Sequence, residues 1–273
     1  HQADLRLAHS RLEFNATGSR TSTDADRGGR GQNSPGTIFV RGAQPIIVDN
    51  ILSNNLGPAM SFDVSSLNSV SLQDHGRSTG AIDKVDARPG NQGPLVAGNT
   101  IQNNVSSSNA VGAQPINGLV VRPGNLTTEG VWDDTDIVHV VQGDIVVPDF
   151  QHYGGLRLIS SAEQSLVVKF SGATAGLTAT GTVLDNANRI GGSIQLVGTP
   201  NYPVVLTSLA DDTVGAGFTA TGQPLVDTNN DGASAATAGD WRGLLLETYS
   251  NDRNVLITSE RESSRAGAPA AND

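Results

Sequence analysis

Regularly placed asparagines constrain the fold of this chain more than any other sequence feature. Residues 45–55 and 94–104 share one template: apolar, two free positions, Asn, one free position, apolar, two free positions, Asn. A weaker copy covers residues 7–15 and has Ser in place of the first Asn. A pattern that returns at a fixed phase is typical of stacked repeats. The aligned positions are Ser10, Asn50 and Asn99, then Leu12, Leu52 and Ile101, then Asn15, Asn55 and Asn104.

The three copies predict a parallel β-solenoid, in which each copy lays a short strand about 4.8 Å from the previous one. Asn at the end of a strand can turn the chain, because it tolerates the left-handed backbone region. Stacked Asn side chains can also hydrogen-bond along the stack, as they do in cross-β ladders. The alternative interpretation is an ordinary β-sandwich with Asn-rich turns.

The composition suits a narrow solenoid core and excludes some classes of partner. The 273 residues include 32 Gly and 12 Pro but only 4% aromatic residues, so turns are frequent and bulky core residues are few. A net charge of −10 argues against nucleic acid and anionic membrane surfaces as partners, and it is compatible with divalent cations. The chain has no cysteine and therefore does not rely on disulfides.

The start of the chain and its hydropathy indicate what kind of protein the chain belongs to. The sequence begins at His1 rather than Met, its first residues already resemble a strand of the repeat, and it contains no transmembrane run. We therefore expect a piece of a longer protein, without membrane insertion.

The repeats predict a single β-solenoid domain over residues 1–257, built from two forms of repeat. The Asn-marked form covers residues 5–122, and a form with paired strands covers residues 131–257. Each copy of this form contains two consecutive strands. They are 155–158 and 166–170 in the first copy, 193–196 and 203–207 in the second, and 243–246 and 254–257 in the third. Segments without apolar periodicity predict inserted loops at 17–36, 65–93, 171–191 and 208–240. Residues 258–273 are predicted to be an exit segment or linker.

Three late segments resemble a stretch found in large bacterial cell-surface proteins. They are 203–212, Asp227-Thr228-Asn229-Asn230-Asp231-Gly232, and Gly239-Asp240-Trp241-Arg242-Gly243. Those proteins carry right-handed parallel β-helix domains of the pectate-lyase-like superfamily, which the Asn-marked repeats also resemble. The resemblance implies an all-β, right-handed parallel β-helix with long inserted loops, located outside a bacterial cell or on its surface.

One loop has the spacing of a calcium ligand set. Asp227, Asn229 and Asp231 place oxygen-bearing side chains at alternate positions, and Gly232 permits a tight turn. Ala238 stands where such loops usually carry their last acidic ligand, and Asp240 lies two residues further on. We predict a structural Ca²⁺ site formed by Asp227, Asn229, Asp231 and Asp240. The alternative is a turn whose side chains bond their own backbone.

Other acidic groups are candidates for acid–base chemistry. Asp134 and Asp136 would face one side of a strand, with His139 nearby, and could form a carboxylate pair or bind a metal. A solvated turn is the favoured interpretation, and the same holds for Asp211-Asp212. Asp74-His75-Gly76-Arg77 resembles the Gly-His-Gly element of polygalacturonases, but the other elements of that family are missing. We therefore predict no catalytic residues.

The sequence favours a structural function in a large bacterial surface or fibre protein, for adhesion, attachment or assembly. Expected partners are neighbouring copies or adjoining domains of the same long protein, and polysaccharide. A polysaccharide lyase or glycoside hydrolase of the β-helix type is one alternative, and a non-catalytic glycan-binding module is another. An enzyme would require Asp, Arg or His from neighbouring turns to meet in one groove.

Overall fold

The computed structural model describes residues 6–15, 36–43, 45–67, 95–105, 115–149, 155–182, 189–254, 256–257 and 271–272. Within these ranges the chain is all-β, with a single 3₁₀ turn at Val64–Ser66 and no α-helix. Short parallel strands stack into several sheets, which confirms the predicted parallel solenoid. Most of the predicted insertions at 17–36 and 65–93, and nearly all of the predicted exit segment, lie outside the described residues.

One long parallel sheet runs through the stack and receives one strand from each successive coil. Its six strands are β3 (Ile38–Val40), β6 (Met60–Phe62), β9 (Leu119–Val121), β12 (His139–Val141), β15 (Leu166–Phe170) and β19 (Val204–Ser208). Each strand pairs in parallel with the next one in this series. We call it the long sheet.

The other faces of the solenoid change partway along the stack. In the first three coils they are two three-stranded parallel sheets, which we call the N-terminal block. One sheet contains β1 (Arg6–Ala8), β4 (Ile46–Val48) and β7 (Val96–Ala97). The other contains β2 (Arg11–Glu13), β5 (Ile51–Ser53) and β8 (Thr100–Gln102).

The later coils build two new sheets, which we call the C-terminal block. One contains β10 (Gly124–Asn125), β13 (Asp144–Val147), β16 (Gly176–Ala179) and β20 (Gly243–Leu246). The other contains β11 (Gly130–Trp132), β14 (Leu156–Ile159) and β18 (Ile194–Val197). Two antiparallel pairs lie outside these sheets: β17 (Arg189–Ile190) with β21 (Arg253–Asn254), and β22 (Leu256–Ile257) with β23 (Ala271–Asn272). The boundary between the two blocks is called the seam below; within the part of the chain that the structure describes, β8 has no strand partner in the later coils.

The core is a set of stacked rows inside the coil. Side chains alternate between the two faces of a strand, so each register position forms a row along the long sheet. One inward row contains Ile38, Met60, Leu119, His139, Val168 and Leu206. Fully buried apolar side chains of this size each contribute about 1.5–3 kcal/mol. The outward row contains Phe39, Ser61, Val120, Val140, Lys169 and Thr207.

Both expected asparagine ladders are present. In the first ladder, the backbone N–H of Ser10 donates to Asn50 Oδ1 at 2.9 Å, and that of Asn50 donates to Asn99 Oδ1 at 3.1 Å. The second ladder has the same N–H to Oδ1 bonds from Asn15 to Asn55, from Asn55 to Asn104 and from Asn104 to Asn117. The ladders hold consecutive coils in register, and they leave Asn55 and Asn104 fully buried.

The corners differ from the prediction in one respect. The ladder residues do not themselves adopt the left-handed backbone; except at Asn117, the residue before each of them does. These preceding residues are His9, Asp49, Gly98, Phe14, Asn54 and Asn103, all with φ between 50° and 69°. The ladder residue can then turn inward, where its amide bonds the neighbouring coil.

Two predicted strand assignments are corrected. The segment 243–246 was aligned with 193–196, but it pairs in parallel with 176–179 as β20 next to β16. The segment 171–191 was expected to be an inserted loop, but it contains β16 and β17. The other aligned positions of this repeat form do pair in parallel, 155–158 with 193–196 as β14 and β18, and 166–170 with 203–207 as β15 and β19.

Candidate functional site

The predicted loop after β19 turns back over the outside of the long sheet. We call residues 209–234 the strap. Leu209 and Ala216 of the strap are buried, and Val214 packs beside them. They cover a strip of apolar side chains on the outward face, formed by Ile116, Val120, Val138, Val140 and Val167. The long sheet is therefore apolar on both faces, as expected of a parallel sheet covered on both sides.

Polar contacts fix the strap over several coils. At its start, Leu209 N–H donates to Phe170 O at 2.9 Å. Further along, Thr228 O accepts from Asn117 N–H at 2.7 Å. Asn230 Nδ2 donates to Asn104 O at 3.1 Å. The strap thus extends from the last strand of the long sheet back to the third coil.

Three carboxylates meet on the strap. Asp212, Asp227 and Asp231 each offer an oxygen, and these oxygens all lie within 4.8 Å of one another. Two of them, Asp227 and Asp231, were predicted as ligands. Asp212 comes from the Asp211-Asp212 pair that was interpreted as a simple turn. We call this set the acidic cluster.

The other two predicted ligands have different surroundings. Asn229 Nδ2 donates to Asp231 Oδ2 at 2.8 Å, so Asn229 borders the acidic cluster. Asp240 is not one of the three grouped carboxylates. It accepts from Thr237 N–H at 2.8 Å and from Ser208 Oγ at 2.9 Å. These hydrogen bonds, led by those from Thr237, lower the pKa of Asp240.

The alternative to a Ca²⁺ site was a turn whose side chains bond their own backbone, and such hydrogen bonds are present in this loop. Asp227 accepts from the backbone N–H groups of Asp231 at 3.2 Å and Gly232 at 3.1 Å. Asp212 Oδ2 accepts from Ser234 N–H at 2.7 Å. Two buried oxygens, Asp212 Oδ1 and Asn229 Oδ1, have no hydrogen-bond partner. The loop therefore bonds its own backbone and still has free oxygen acceptors.

A buried lysine lies beneath the strap. Lys169 is on the outward row of the long sheet, is fully buried, and donates from Nζ to Val226 O at 2.8 Å. Burial lowers the pKa of Lys169, and the negative charges of Asp212, Asp211, Asp227 and Asp231 oppose that shift. Because an isolated buried ammonium is costly, these carboxylates act as its counter-charges. Part of the negative charge of the acidic cluster is thereby balanced from within the protein.

The second acidic group stabilises a sheet edge. Asp134 and Asp136 lie in a turn between β11 and β12, and both face β7. Asp134 Oδ1 accepts from Val96 N–H at 3.1 Å, and Asp136 Oδ2 accepts from Gly98 N–H at 2.5 Å. Burial raises the pKa of Asp134 well above its ordinary value, and the neighbouring charge of Asp133 adds to the rise. The two carboxylates thus substitute for a fourth strand beside β7.

His139 lies in the apolar core and does not form a site with Asp134 and Asp136. Its ring is fully buried in the core and stacks on Trp132, with centroids 5.3 Å apart and an interplanar angle of 8°. Burial lowers the pKa of His139 to about 4, so the ring is neutral at pH 7. A backbone hydrogen bond at Ile137 opposes this shift only in part. The residue acts as a core aromatic.

One further set of polar side chains joins three coils. Arg242 Nη2 donates to Asp144 Oδ1 and to Thr178 Oγ1, both at 2.5 Å. The Asp144 carboxylate and the Arg242 guanidinium thereby form an ion pair on the outside of the C-terminal block. The predicted Asp74–Arg77 element lies outside the described residues.

Sequence reasoning missed three residues that organise this face. Lys169 had a visible signal, because it is a single cation within an otherwise apolar strand. Arg122 is almost fully buried; it donates to Ser61 Oγ at 2.9 Å and to Val40 O at 2.6 Å, and so links three coils. Asn117 extends the second ladder but falls outside the repeat template.

Comparison with protein-family models, with curated proteins and with solved structures gave no match. No helix among the described residues has the length and apolar character needed to cross a membrane.

Proposed function

We propose that this chain is a structural segment of a large extracellular or surface-attached bacterial protein, in which right-handed β-helix coils form a scaffold for adhesion, attachment or assembly. The observation that supports the proposal best is the uncovered final coil. Leu244 is 40% exposed and Leu246 is 55% exposed, whereas their partners in the preceding coil, Leu177 and Ala179, are fully buried. Leu196 and Val197 of β18 are similarly exposed, at 43% and 47%.

Leu196, Leu244 and Leu246 continue core rows that no coil covers among the described residues, whereas Val197 lies on the outer face, in the row of Ile159. In a solenoid each coil is stabilised chiefly by its neighbours, so an uncovered coil favours the addition of another. Unpaired strand edges also recruit further strands. We propose that a neighbouring copy stacks on this end through further parallel pairing. In the long protein, adjoining sequence would offer the same kind of coil.

The test is self-association of the purified chain. Sedimentation and solution scattering over a range of concentrations should show end-on assembly that Leu246→Lys abolishes. Phe218→Lys is the matched control, because Phe218 is 56% exposed but lies on the strap. A chain that stays monomeric at all concentrations, or equal loss in both variants, contradicts stacking at this end.

We further propose that the acidic cluster binds a structural Ca²⁺, with Asp212, Asp227 and Asp231 as ligands and Asn229 beside them. Ligand oxygens on one Ca²⁺ can lie up to about 5 Å apart, because each is 2.3–2.6 Å from the ion. The 4.8 Å limit on the cluster satisfies that condition. The unpartnered Asp212 Oδ1 and Asn229 Oδ1 are further acceptors for such an ion.

Calcium binding is tested by thermal unfolding and titration calorimetry with Ca²⁺ and with chelator. A ligand at 100 times its Kd stabilises the folded state by about 2.7 kcal/mol. Asp227→Asn and Asp231→Asn should abolish the response to Ca²⁺, whereas Asp240→Asn should retain it. Identical melting of the unaltered chain in Ca²⁺ and in chelator contradicts the site.

A further inference from the structure

The seam is a discontinuity in an otherwise regular stack. The long sheet crosses it through the pairing of β9 with β12, but no strand of the N-terminal block pairs with a strand of the C-terminal block among the described residues. Elsewhere the seam is joined by the shared apolar core and by individual hydrogen bonds, such as Val131 N–H to Leu67 O at 3.0 Å. Solenoid stability is approximately a sum of neighbour terms, so an interface with fewer strand pairs is where independent unfolding of the two blocks is easiest.

The strap crosses this discontinuity. It is anchored among the later coils by Leu209 N–H to Phe170 O and by Lys169 Nζ to Val226 O. On the other side, Ala220 N–H donates to Gln102 Oε1 at 3.1 Å. Gln102 belongs to β8, the last strand of its sheet in the N-terminal block.

The strap also presses on the turn that holds the edge of β7. Gly217 lies so close to Asp136 O that an added Cβ would overlap this carbonyl. The Asp136 carboxylate accepts from Gly98 N–H, and Asp134 in the same turn accepts from Val96 N–H. The strap, the acidic turn and β7 therefore form one continuous line of contact across the seam.

We propose that the strap is a clamp that couples the two blocks, so that the N-terminal block cannot unfold separately while the strap is seated. This inference is supported by the contacts of the strap on both sides of the seam. It is also supported by the strip of apolar side chains that the strap covers on the long sheet. It does not rest on the proposed adhesive function, and it does not require Ca²⁺, because the contacts of Gly217, Ala220 and Asn230 across the seam are made directly between protein atoms, without the ion.

Two glycines of the strap provide a matched pair of variants. Gly217 has φ +76° and Gly222 has φ +77°, so alanine introduces the same backbone strain at either position. The added methyl group meets Asp136 O at position 217, whereas no atom lies within 4 Å of it at position 222. The difference between Gly217→Ala and Gly222→Ala therefore isolates contact at the seam.

The measurement is native-state hydrogen exchange by mass spectrometry on the whole chain, in low denaturant. Peptides covering 46–53 report the N-terminal block, and peptides covering 144–147 report the C-terminal block. In Gly217→Ala the first set should exchange on the order of tenfold faster than in Gly222→Ala, which corresponds to about 1.4 kcal/mol. The second set should exchange equally in both variants.

Equal exchange of residues 46–53 in the two variants would overturn the proposal, as would an equal acceleration of both blocks in Gly217→Ala. Should Gly217→Ala fail to fold, Asn230→Gly replaces it. That change removes the bond to Asn104 O, and it is compatible with the φ of +53° at position 230. It should again accelerate exchange in residues 46–53 while leaving residues 144–147 unaffected, and uniform exchange would count against the clamp.

Discussion

At the scale of single residues, His139 makes stability depend on pH. Its pKa is about 4 in the folded chain and about 6.5 when unfolded. Because the folded pKa is lower than the unfolded one, the contribution of neutral His139 to the free energy of unfolding is complete above pH 6.5. This contribution is lost as the pH falls towards 4. The lost stability is about 3 kcal/mol, from 1.36 kcal/mol per pKa unit.

Urea unfolding at several pH values between 7 and 4 measures this loss. His139→Leu should flatten the pH dependence over that window. His9→Asn is the control, because His9 is exposed and its φ of 50° suits Asn. A slope that is unchanged in His139→Leu contradicts this assignment.

The ladder asparagines should be far more sensitive than their neighbours. Asn55 is fully buried, accepts from Asn15 N–H and donates to Leu12 O. Asn55→Ala leaves two part-buried backbone groups, Asn15 N–H and Leu12 O, without this partner, at about 1–3 kcal/mol in all. Chemical denaturation should show that loss, whereas Asn54→Gly, at an exposed position with φ 56°, should change stability by less than about 1 kcal/mol. Similar losses in both variants would show that the ladder adds little.

The ladders were predictable from the sequence, but the corner conformation was not. The repeat identifies Asn50 and Asn55 because the same amide side chain returns at the same position of the template in successive copies. It does not reveal that every preceding residue adopts positive φ, since Phe14 has no intrinsic preference for that region, although the His, Asp, Asn and Gly at the other corners tolerate it. Stacking imposes the conformation there.

At the scale of elements, the strap could be located in the sequence but its packing could not. Leu209, Val214 and Ala216 are too sparse to form a periodic pattern, and their partners lie in earlier coils. A sequence signal did exist in the strands themselves, because Leu119-Val120-Val121 is apolar on both faces. β20 was misassigned for a related reason: short apolar strands carry no mark of the sheet to which they belong.

The charge of Lys169 should affect how much Ca²⁺ stabilises the chain through the acidic cluster. In Lys169→Met the carboxylates of Asp212, Asp227 and Asp231 lose their internal counter-charge and repel one another more strongly. We expect Lys169→Met to melt earlier in chelator and to gain more from Ca²⁺ than the unaltered chain does. Calorimetric scans of both chains, with Lys169→Arg retaining the charge, provide the comparison. An equal gain in all three contradicts this coupling.

At the scale of the whole molecule, a scaffold should leave polysaccharides intact. Asp144 and Arg242 bond each other, and Asp134 and Asp136 bond the backbone beside β7. We expect no shortening of acidic or neutral polysaccharides, with Ca²⁺ or with chelator, when polymer length and ultraviolet absorbance are followed. Shortening with unsaturated ends would indicate a lyase, and shortening without them a hydrolase.

The second ladder has a direction. Each N–H donates to the amide oxygen of the next ladder residue, from Asn15 through Asn55 and Asn104 to Asn117, which lies in the same coil as Asn104. The series ends where Asn117 N–H donates to Thr228 O, a backbone carbonyl that cannot pass the pattern on. An Asn-bearing coil inserted after Asn117 would therefore have to displace Thr228. Gene duplication can thus lengthen this region only at positions before Asn117.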